Sequence, residues 1–305
     1  MKIYAPEYYK NFKCIADRCR HSCCVGWEID IDSDTAELYS TFEDGYGKNI
    51  RESMDTEGVP HFRLAANDRC PHLNDCGLCR IILELGEDYL CEICREHPRF
   101  YNDTRLGKEV GLGMSCEEAC RIILSSDGYD KFIPVGELAG EPEACELDTV
   151  ALREKIYVIL SDSSLPYTVR RNEISRLFGV AELDDTSAKE LISSLEYLDE
   201  NHRELFLSYS SNASTPKNHE KALERALAYF IFRHCSEVFD ADEYRAALGF
   251  CLFCEKLLAS LIVSENAENE GDVIELARIL SEEIEYSEDN TDAIISAFYD
   301  QNDDF

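Results

Sequence analysis

Cysteine is the residue type that could do chemistry in the first part of this chain, where eleven of the 15 cysteines fall within residues 14–120. Thiolates at short spacings can converge on one soft metal centre, because neighbouring turns and consecutive loop residues bring their sulfur atoms within a few ångströms of each other. The spacings are Cys14-x4-Cys19-x3-Cys23-Cys24, Cys70-x5-Cys76-x2-Cys79, Cys91-x2-Cys94 and Cys116-x3-Cys120. They predict a metal or iron–sulfur site in this part of the chain.

Spacing alone leaves several other interpretations open. Zinc and an iron–sulfur cluster both take four ligands, and His21, His72 or His97 could replace one thiolate in a zinc site. The cysteines could also be reduced residues of an apolar core. Cys91-x2-Cys94 could be a thioredoxin-like redox pair, although the sequence indicates no βαβ unit that would carry one.

The charge of the chain restricts its partners. With 62 acidic and 30 basic side chains, the formal net charge is -32. Phosphate backbones and anionic lipids would be repelled, so we expect neither a nucleic-acid nor a membrane partner. A cationic partner, such as a lysine side chain on another protein, would be attracted. The acidity could equally serve solubility alone.

The N-terminal residues indicate a cytoplasmic protein. Met1–Glu7 lacks the long apolar stretch of a signal peptide, and we expect no later run of the roughly 18 apolar residues that span a membrane. The cytosol keeps thiols reduced, which favours metal ligation or catalysis over a disulfide framework.

The chain is predicted to form two domains, a cysteine-rich metal-binding domain over residues 1–140 and an acidic all-helical domain over residues 141–305. Between them, Phe132–Leu147 contains prolines and glycines that break regular structure. The predicted fold class is mainly α, with a small α+β cysteine-rich front packed on a C-terminal helical bundle. Apolar residues at helical spacing predict helices over Thr149–Ser161, Val169–Phe178, Thr186–Asp199, Lys217–Cys235, Asp242–Ser264 and Val273–Tyr286.

The first domain mixes short strands and helices. Alternation of apolar and acidic residues over Gly26–Asp32 predicts a half-buried strand, after which Asp32 or Ser33 can cap a helix that ends near Phe42. A second strand is expected over His61–Leu64, and a helix over Cys79–Leu85. These elements would carry the cysteines.

A capping box is expected where Ser115-Cys116-Glu117-Glu118 begins a helix. The Ser115 hydroxyl would accept the Glu118 amide, and the Glu118 carboxylate would accept the Ser115 amide. Cys116 would then lie in the first turn, where the helix dipole favours the thiolate.

No motif for a nucleotide-like cofactor is present. The sequence contains neither Gly-x-Gly-x-x-Gly after a strand nor Gly-x4-Gly-Lys-Ser/Thr. The spacing of radical-type iron–sulfur sites begins with Cys19-x3-Cys23 but places Gly26 at the third position. No catalytic base or donor-binding residue can therefore be assigned from motifs.

Taken together, the cysteines and their neighbours resemble the flagellin lysine-N-methylase family. The resemblance covers roughly residues 4–125, and the same cysteines carry a more distant likeness to small cysteine-cluster proteins of the YkgJ type. It is carried by Phe12-Lys13-Cys14 … Cys19 … Cys23-Cys24-Val25-Gly26-Trp27-Glu28-Ile29-Asp30-Ile31-Asp32, Cys70-Pro71-His72-Leu73 … Gly77-Leu78-Cys79-Arg80-Ile81, Leu85-Gly86-Glu87, Cys94-Arg95-Glu96-His97-Pro98-Arg99 and Ser115-Cys116-Glu117-Glu118-Ala119.

The resemblance implies methyl transfer from S-adenosylmethionine to lysine side chains of flagellin in a bacterial cytoplasm, with an iron–sulfur cluster, of the 4Fe-4S type, on the cysteine motif and zinc as the alternative metal. His97 and Glu117 stand where the family more often has tyrosine and proline. The other function to be weighed is a non-catalytic zinc- or iron-chelating protein that docks a protein partner. The metal ligands that the resemblance implies are Cys14, Cys19, Cys23, Cys24, Cys70, Cys79, Cys94 and Cys116.

Overall fold

The computed structural model describes residues 1–141, 147–213 and 217–299. Its contacts divide the chain into a first unit, Met1–Phe12 with Phe100–Phe305, and a second unit, Lys13–Arg99. Neither junction coincides with the predicted boundary at residue 140, because the first strand of the chain pairs with strands that follow residue 106. The assignment of a metal-binding domain to residues 1–140 and of a helical domain to residues 141–305 stays a prediction.

The strands are short. They are β1 (Lys2–Pro6), β2 (Met54–Asp55), β3 (His61–Phe62), β4 (Arg99–Thr104), β5 (Gly107–Leu112) and β6 (Phe132–Glu137). One four-stranded sheet has the order β4-β5-β1-β6, in which β1 is parallel to β5 and antiparallel to β6. The register places Tyr4 opposite Glu109 and Ala5 opposite Ile133. β2 and β3 form a separate two-stranded sheet in the second unit.

Strand β6 lies in a segment where the sequence predicted a break in regular structure. That prediction was wrong for Phe132–Glu137, because an edge strand tolerates a proline at a position whose amide is not needed by a neighbour, and Pro134 lies in such a strand. Residues 142–146 of the same segment lie outside the described residues.

The protein is mainly α, as predicted. The helices are α1 (Ser33–Ser40), α2 (Gly45–Ser53), α3 (Arg80–Glu84), α4 (Glu92–Glu96), α5 (Glu117–Ser125), α6 (Thr149–Leu160), α7 (Tyr167–Phe178), α8 (Asp185–Ser194), α9 (Glu200–Leu207), α10 (Glu220–His234), α11 (Ala241–Ser264), α12 (Glu270–Leu280) and α13 (Glu288–Tyr299). A π-helical turn, Ser281–Glu285, directly follows α12. The six helices predicted for the second half correspond to α6, α7, α8, α10, α11 and α12, whereas α9 and α13 were missed.

Short polar residues begin many of these helices. A side-chain oxygen at the N-cap accepts amides that have no partner within the helix, which is why aspartate and asparagine are favoured there. Asp199 illustrates the effect: its carboxylate accepts the Asn201 amide at 2.9 Å and starts α9, so the single helix predicted over Thr186–Asp199 ends at Ser194. The same role is filled by Asp32, Asp148, Asp184, Asp240 and Asn269.

Helix α11 forms the centre of the first unit. Leu248, Phe250 and Leu257 on it have no exposed surface, and the helix packs against α10 and α13. Contrary to the expectation from the sequence, α11 is long and apolar enough to cross a membrane by length and composition, and 89% of that window is buried inside the protein. Burial to this extent is typical of the central helix of a folded domain.

The second unit contains little regular structure around a small core of Ile31, Tyr39, Ile50 and Phe62. The strand predicted over Gly26–Asp32 was wrong: in the part of the chain that the structure describes, an isolated bridge from Asp30 to His61 pairs this segment, and no ladder does. The capped helix that was predicted next is confirmed as α1, where the Asp32 carboxylate accepts the Thr35 amide at 2.9 Å.

Candidate functional site

Five cysteine side chains share the core of the second unit. We call Cys24, Cys70, Cys79, Cys91 and Cys94 the thiol core. Cys70 is 7% exposed and Cys91 1% exposed, and the other three are partly buried against the same apolar side chains. The cysteine spacing predicted that thiols from separate stretches of the sequence would converge, and the thiol core contains thiols from three such stretches.

Backbone contacts and two short helices position these thiols. The Cys70 amide donates to the Cys24 carbonyl at 2.8 Å, which joins the first and second cysteine groups. Cys79 is the N-cap of α3 and Cys91 the N-cap of α4, so each lies at the point where a loop turns into a helix. Cys94 follows one turn into α4. The local structure therefore directs all five residues towards one core.

The thiols influence one another electrostatically. A hydrogen bond from the Cys23 thiol lowers the pKa of Cys24 to about 7. Burial, together with the nearby thiols Cys24, Cys79 and Cys91, raises the pKa of Cys70 to about 12. The hydrogen bond between Cys91 and Cys94 lowers the pKa of Cys91 and raises that of Cys94. Cys24 is therefore readily deprotonated near neutral pH, whereas Cys70 and Cys94 keep their protons in the absence of a compensating cation.

The structure brings together only part of the predicted ligand set. Four of the eight predicted ligands, Cys24, Cys70, Cys79 and Cys94, belong to the thiol core. Cys91 also belongs to it and was left out of the prediction; its position two residues before Cys94, at the start of a helix, was the signal available in the sequence. Of the other four, Cys14 and Cys23 are exposed, Cys19 is partly buried and Cys116 belongs to the first unit.

The arrangement of the thiol core is not that of a coordination shell. In residues 1–141, 147–213 and 217–299, no group of three or more histidine, cysteine, aspartate or glutamate side chains is arranged so that it could hold a metal ion. The donors thus fit a soft metal or an iron–sulfur cluster in number and chemistry, but their present positions do not fit it.

His72, one of the three histidines that could replace a thiolate in a zinc site, makes hydrogen bonds through both ring nitrogens. Its Nδ1 atom bonds the Tyr46 hydroxyl at 2.8 Å, and its Nε2 atom bonds the Ser53 hydroxyl at 2.9 Å. Burial lowers the pKa of this imidazole to about 4. Both ring nitrogens are thus bonded to hydroxyl groups in this structure, and the replacement of a thiolate by His72 in a zinc site stays a prediction.

The capping box predicted at Ser115 is also wrong. Helix α5 begins at Glu117 with Cys116 as its N-cap, and no side chain in residues 1–141, 147–213 and 217–299 caps it. The Ser115 hydroxyl oxygen is buried and has no hydrogen-bond partner among the residues that the structure describes. Cys116 precedes the first helical residue instead of lying inside the first turn.

A second group of chemically capable residues surrounds the π-helical turn of the first unit. The Glu285 side chain is completely buried, and its Oε1 atom lies 2.7 Å from Nε2 of His234. Its Oε2 atom accepts the Tyr229 hydroxyl at 3.1 Å, and Arg233 Nε lies 3.5 Å from Oε1. Burial acts to raise the pKa of Glu285, but the positive charge of Arg233 and the hydrogen bond from His234 outweigh it and hold the pKa below its usual range.

A second buried carboxylate lies two residues earlier on the same turn. Glu283 Oε1 is 2.5 Å from Nδ1 of His202, and its carboxylate also accepts the Leu198 amide at 2.7 Å and the Asp199 amide at 3.2 Å. Sequence reasoning missed both glutamates, because partners separated by some 50 to 85 residues leave no short-range pattern in the chain.

Comparison with known proteins assigns the helical part of the chain to a class of lysine-modifying proteins. The family model described as the FliB lysine N-methylase C-terminal domain matches residues 153–305. The prediction from residues 4–125 is thus supported by a different part of the chain. The chain belongs to the flagellin lysine N-methylase family.

The relatives cover a limited part of the chain. Lysine-N-methylases of Salmonella choleraesuis (strain SC-B67) and of Salmonella typhimurium (strain LT2) are each 27% identical over 130 residues, which are 40% of this chain and 32% of the relative. The flagellar biosynthetic protein FliU of Salmonella muenchen is 26% identical over 130 residues, 40% of this chain and 77% of that protein. The chain therefore matches about a third of the length of the two lysine-N-methylases. No solved structure matches it.

Proposed function

We propose that the protein is a lysine N-methyltransferase that transfers methyl groups from S-adenosylmethionine to lysine side chains of flagellin. The observation that carries the proposal is the family match over residues 153–305. The names of the relatives support it, since two are lysine-N-methylases and the third is a flagellar biosynthetic protein. The net charge of -32 favours approach of a substrate rich in cationic lysine side chains.

The reaction requires a lysine amine in its neutral form. The amine lone pair attacks the methyl carbon of the sulfonium, the new N–C bond forms as the S–C bond breaks, and the thioether leaves. The ammonium must lose a proton before attack, so the site needs a proton acceptor and a geometry that holds amine and methyl group in line.

The iron–sulfur cluster belongs to the same proposal. We place it on the thiol core, where the predicted ligands Cys24, Cys70, Cys79 and Cys94 lie. Cys14, Cys19, Cys23 and Cys116 stay predictions from the family resemblance. A bound cluster would join stretches of the second unit that regular structure barely connects. Because the thiols are not arranged as a coordination shell, we assign the cluster no step of the methyl transfer.

Transfer of label tests the proposed activity. Protein purified and reconstituted without oxygen is incubated with S-adenosylmethionine labelled on the methyl group and with flagellin. Label is expected on flagellin lysines. Flagellin whose lysines have been acetylated is the control and should remain unlabelled, since an amide nitrogen has no nucleophilic lone pair. An unlabelled native flagellin would contradict the proposal.

A non-catalytic protein that chelates zinc or iron and docks flagellin is the second candidate. The observation that favours it is the lack of a recognisable donor-binding loop in the sequence. The same incubation separates the two candidates, because a docking protein binds flagellin without labelling it. We propose the bacterial cytoplasm as the location for either function, since reduced thiols persist there.

A further inference from the structure

The π-helical turn presents two glutamate–histidine pairs that differ in their remaining partners. Glu283 holds His202 and also accepts two backbone amides, so this pair fastens the segment that leads into α9. Among the residues that the structure describes, the Glu285 carboxylate accepts no backbone amide and is held by the side chains of His234, Tyr229 and Arg233. π-helical turns are frequent at functional sites, and in the described part of the chain the carboxylate of the second pair is bonded by side chains and not by backbone amides.

The contact with Glu285 fixes the tautomer of His234. A carboxylate accepts hydrogen bonds, so Nε2 of His234 carries the proton that is shared at 2.7 Å. The Nδ1 atom therefore has the free lone pair. The residues that the structure describes offer Nδ1 no hydrogen-bond partner, and the side chain keeps 11% of its surface exposed. Nδ1 is therefore the ring nitrogen of His234 that can accept a further proton.

The surroundings keep this imidazole uncharged. Burial is the main cause that lowers the pKa of His234, and the neighbouring Arg233 charge adds to it, while Glu285 acts in the opposite direction. The Arg233 guanidinium lies 5.1 Å from the ring centre of Phe100 and 5.0 Å from that of Tyr286, and it donates to the Tyr229 hydroxyl at 2.9 Å. A neutral imidazole in a fixed orientation is what a general base requires.

We propose that His234 accepts the proton that the substrate lysine loses, and that Glu285 orients it. The inference rests on the proposed methyl transfer. The proton moves from the lysine ammonium to Nδ1 of His234, the neutral amine then attacks the sulfonium methyl group, and the proton leaves from Nδ1 to water after the thioether departs. His234 would be a catalytic residue and Glu285 a positioning residue.

The test compares the two histidines in single-turnover methyl transfer. Glutamine keeps an N–H donor for the carboxylate but has no basic nitrogen, so H234Q should stay folded and lose at least about 100-fold in rate. The matched variant H202Q should keep the wild-type rate. Addition of imidazole to H234A should restore part of the lost rate, a response that a purely structural role would not give.

Each result has a distinct meaning. An active wild type together with an equally active H234Q overturns the role of His234 and leaves the proposed function intact. A wild type that transfers no methyl group overturns the proposed function and this role with it. Should H234Q fail to fold, diethyl pyrocarbonate is applied to the wild type. Loss of activity in step with carbethoxylation of His234 is then expected, and either an unreactive His234 or full activity after its modification refutes the proposal.

Discussion

The thiol core and the surroundings of Glu285 represent two ways of placing reactive groups inside a protein. The thiol core gathers five soft donors in a unit with short helices and isolated bridges, and the thiols pack in the apolar core of that unit. Around Glu285, by contrast, the carboxylate has three charged or polar side-chain partners at 2.7–3.5 Å, supplied by α10.

The thiol core and the Glu285 carboxylate differ in the interactions that fix their positions. Buried carboxylates that are paired and hydrogen-bonded are fixed by the protein alone, since an unpaired charge in an apolar interior would be costly. Buried thiols tolerate an apolar core without partners, so their positions can change when a metal binds. We therefore expect the first unit to be stable by itself and the order of the second unit to depend on a bound group.

The largest expected effect is loss of iron from the thiol core. Cys70→Ser removes a buried member of the core and should abolish most of the iron bound by protein purified without oxygen, because a hydroxyl is a poor ligand for iron in such clusters. Iron analysis and the visible absorption spectrum measure it. The matched variant Cys76→Ser changes an exposed thiol outside the core and should keep the iron. Equal iron in both variants, or zinc alone in the wild type, would contradict the cluster.

Breaking a buried ion pair of the first unit should cost several kcal/mol. Both oxygens of Glu109 accept from Arg153, at 2.7 Å and 2.6 Å, and the two side chains are 2% and 5% exposed. Glu109→Gln leaves the guanidinium buried without a counter-charge, and we expect a loss of about 3–5 kcal/mol in the free energy of unfolding by urea. Glu173→Gln, in an exposed pair with Arg176, is the control and should change stability little. Equal effects of the two changes would contradict the expectation.

Removal of a helix cap in the first unit should have a smaller effect. The Asp240 carboxylate accepts the amides of Asp242 and Glu243 at 2.8 Å and 2.9 Å, at the start of α11. Asp240→Ala is expected to lower the free energy of unfolding by about 1 kcal/mol. Asp240→Asn retains a side-chain acceptor and should stay close to the wild type. If asparagine were as harmful as alanine, the loss would not come from the cap.

The smallest expected effect is a pH dependence in the second unit. Burial acts to raise the pKa of Asp32, but hydrogen bonds from the Glu92 and Thr35 amides outweigh it and hold the pKa below the usual 3.8. Stability from this carboxylate is thus present above the unfolded pKa and is lost as the pH falls through the lower folded value. The advantage of the wild type over Asp32→Asn should shrink between about pH 5 and about pH 3, measured by urea unfolding. A constant difference would show that Asp32 does not titrate with unfolding.

Much of this architecture follows from local rules. Helical periodicity located α6, α7, α10, α11 and α12, because an amphipathic or wholly apolar stretch has few other ways to bury itself. Caps such as Asp32 also follow from neighbouring residues. The strand predicted over Gly26–Asp32 failed because alternation describes one strand, whereas a ladder needs a partner that the sequence does not specify.

Short spacing in the sequence allowed the thiol core to be predicted in part, whereas the surroundings of Glu285 could not be predicted. Cys24, Cys70, Cys79 and Cys94 were predicted as ligands and lie together in one core, because short spacings and helix starts constrain neighbouring thiols. The pair of Glu285 and His234 could not be predicted, since it depends on how α10 packs beside the π-helical turn. Long-range pairs of this kind emerge only once the helices are in place.

The central proposal is that this protein methylates lysine side chains of flagellin. Peptide mapping of flagellin by mass spectrometry, before and after incubation with the protein and S-adenosylmethionine, tests it most directly. The account predicts methylated lysine in peptides of the treated flagellin and unmodified lysine when either the protein or the methyl donor is omitted. Unmodified lysine throughout the treated flagellin would contradict the claim.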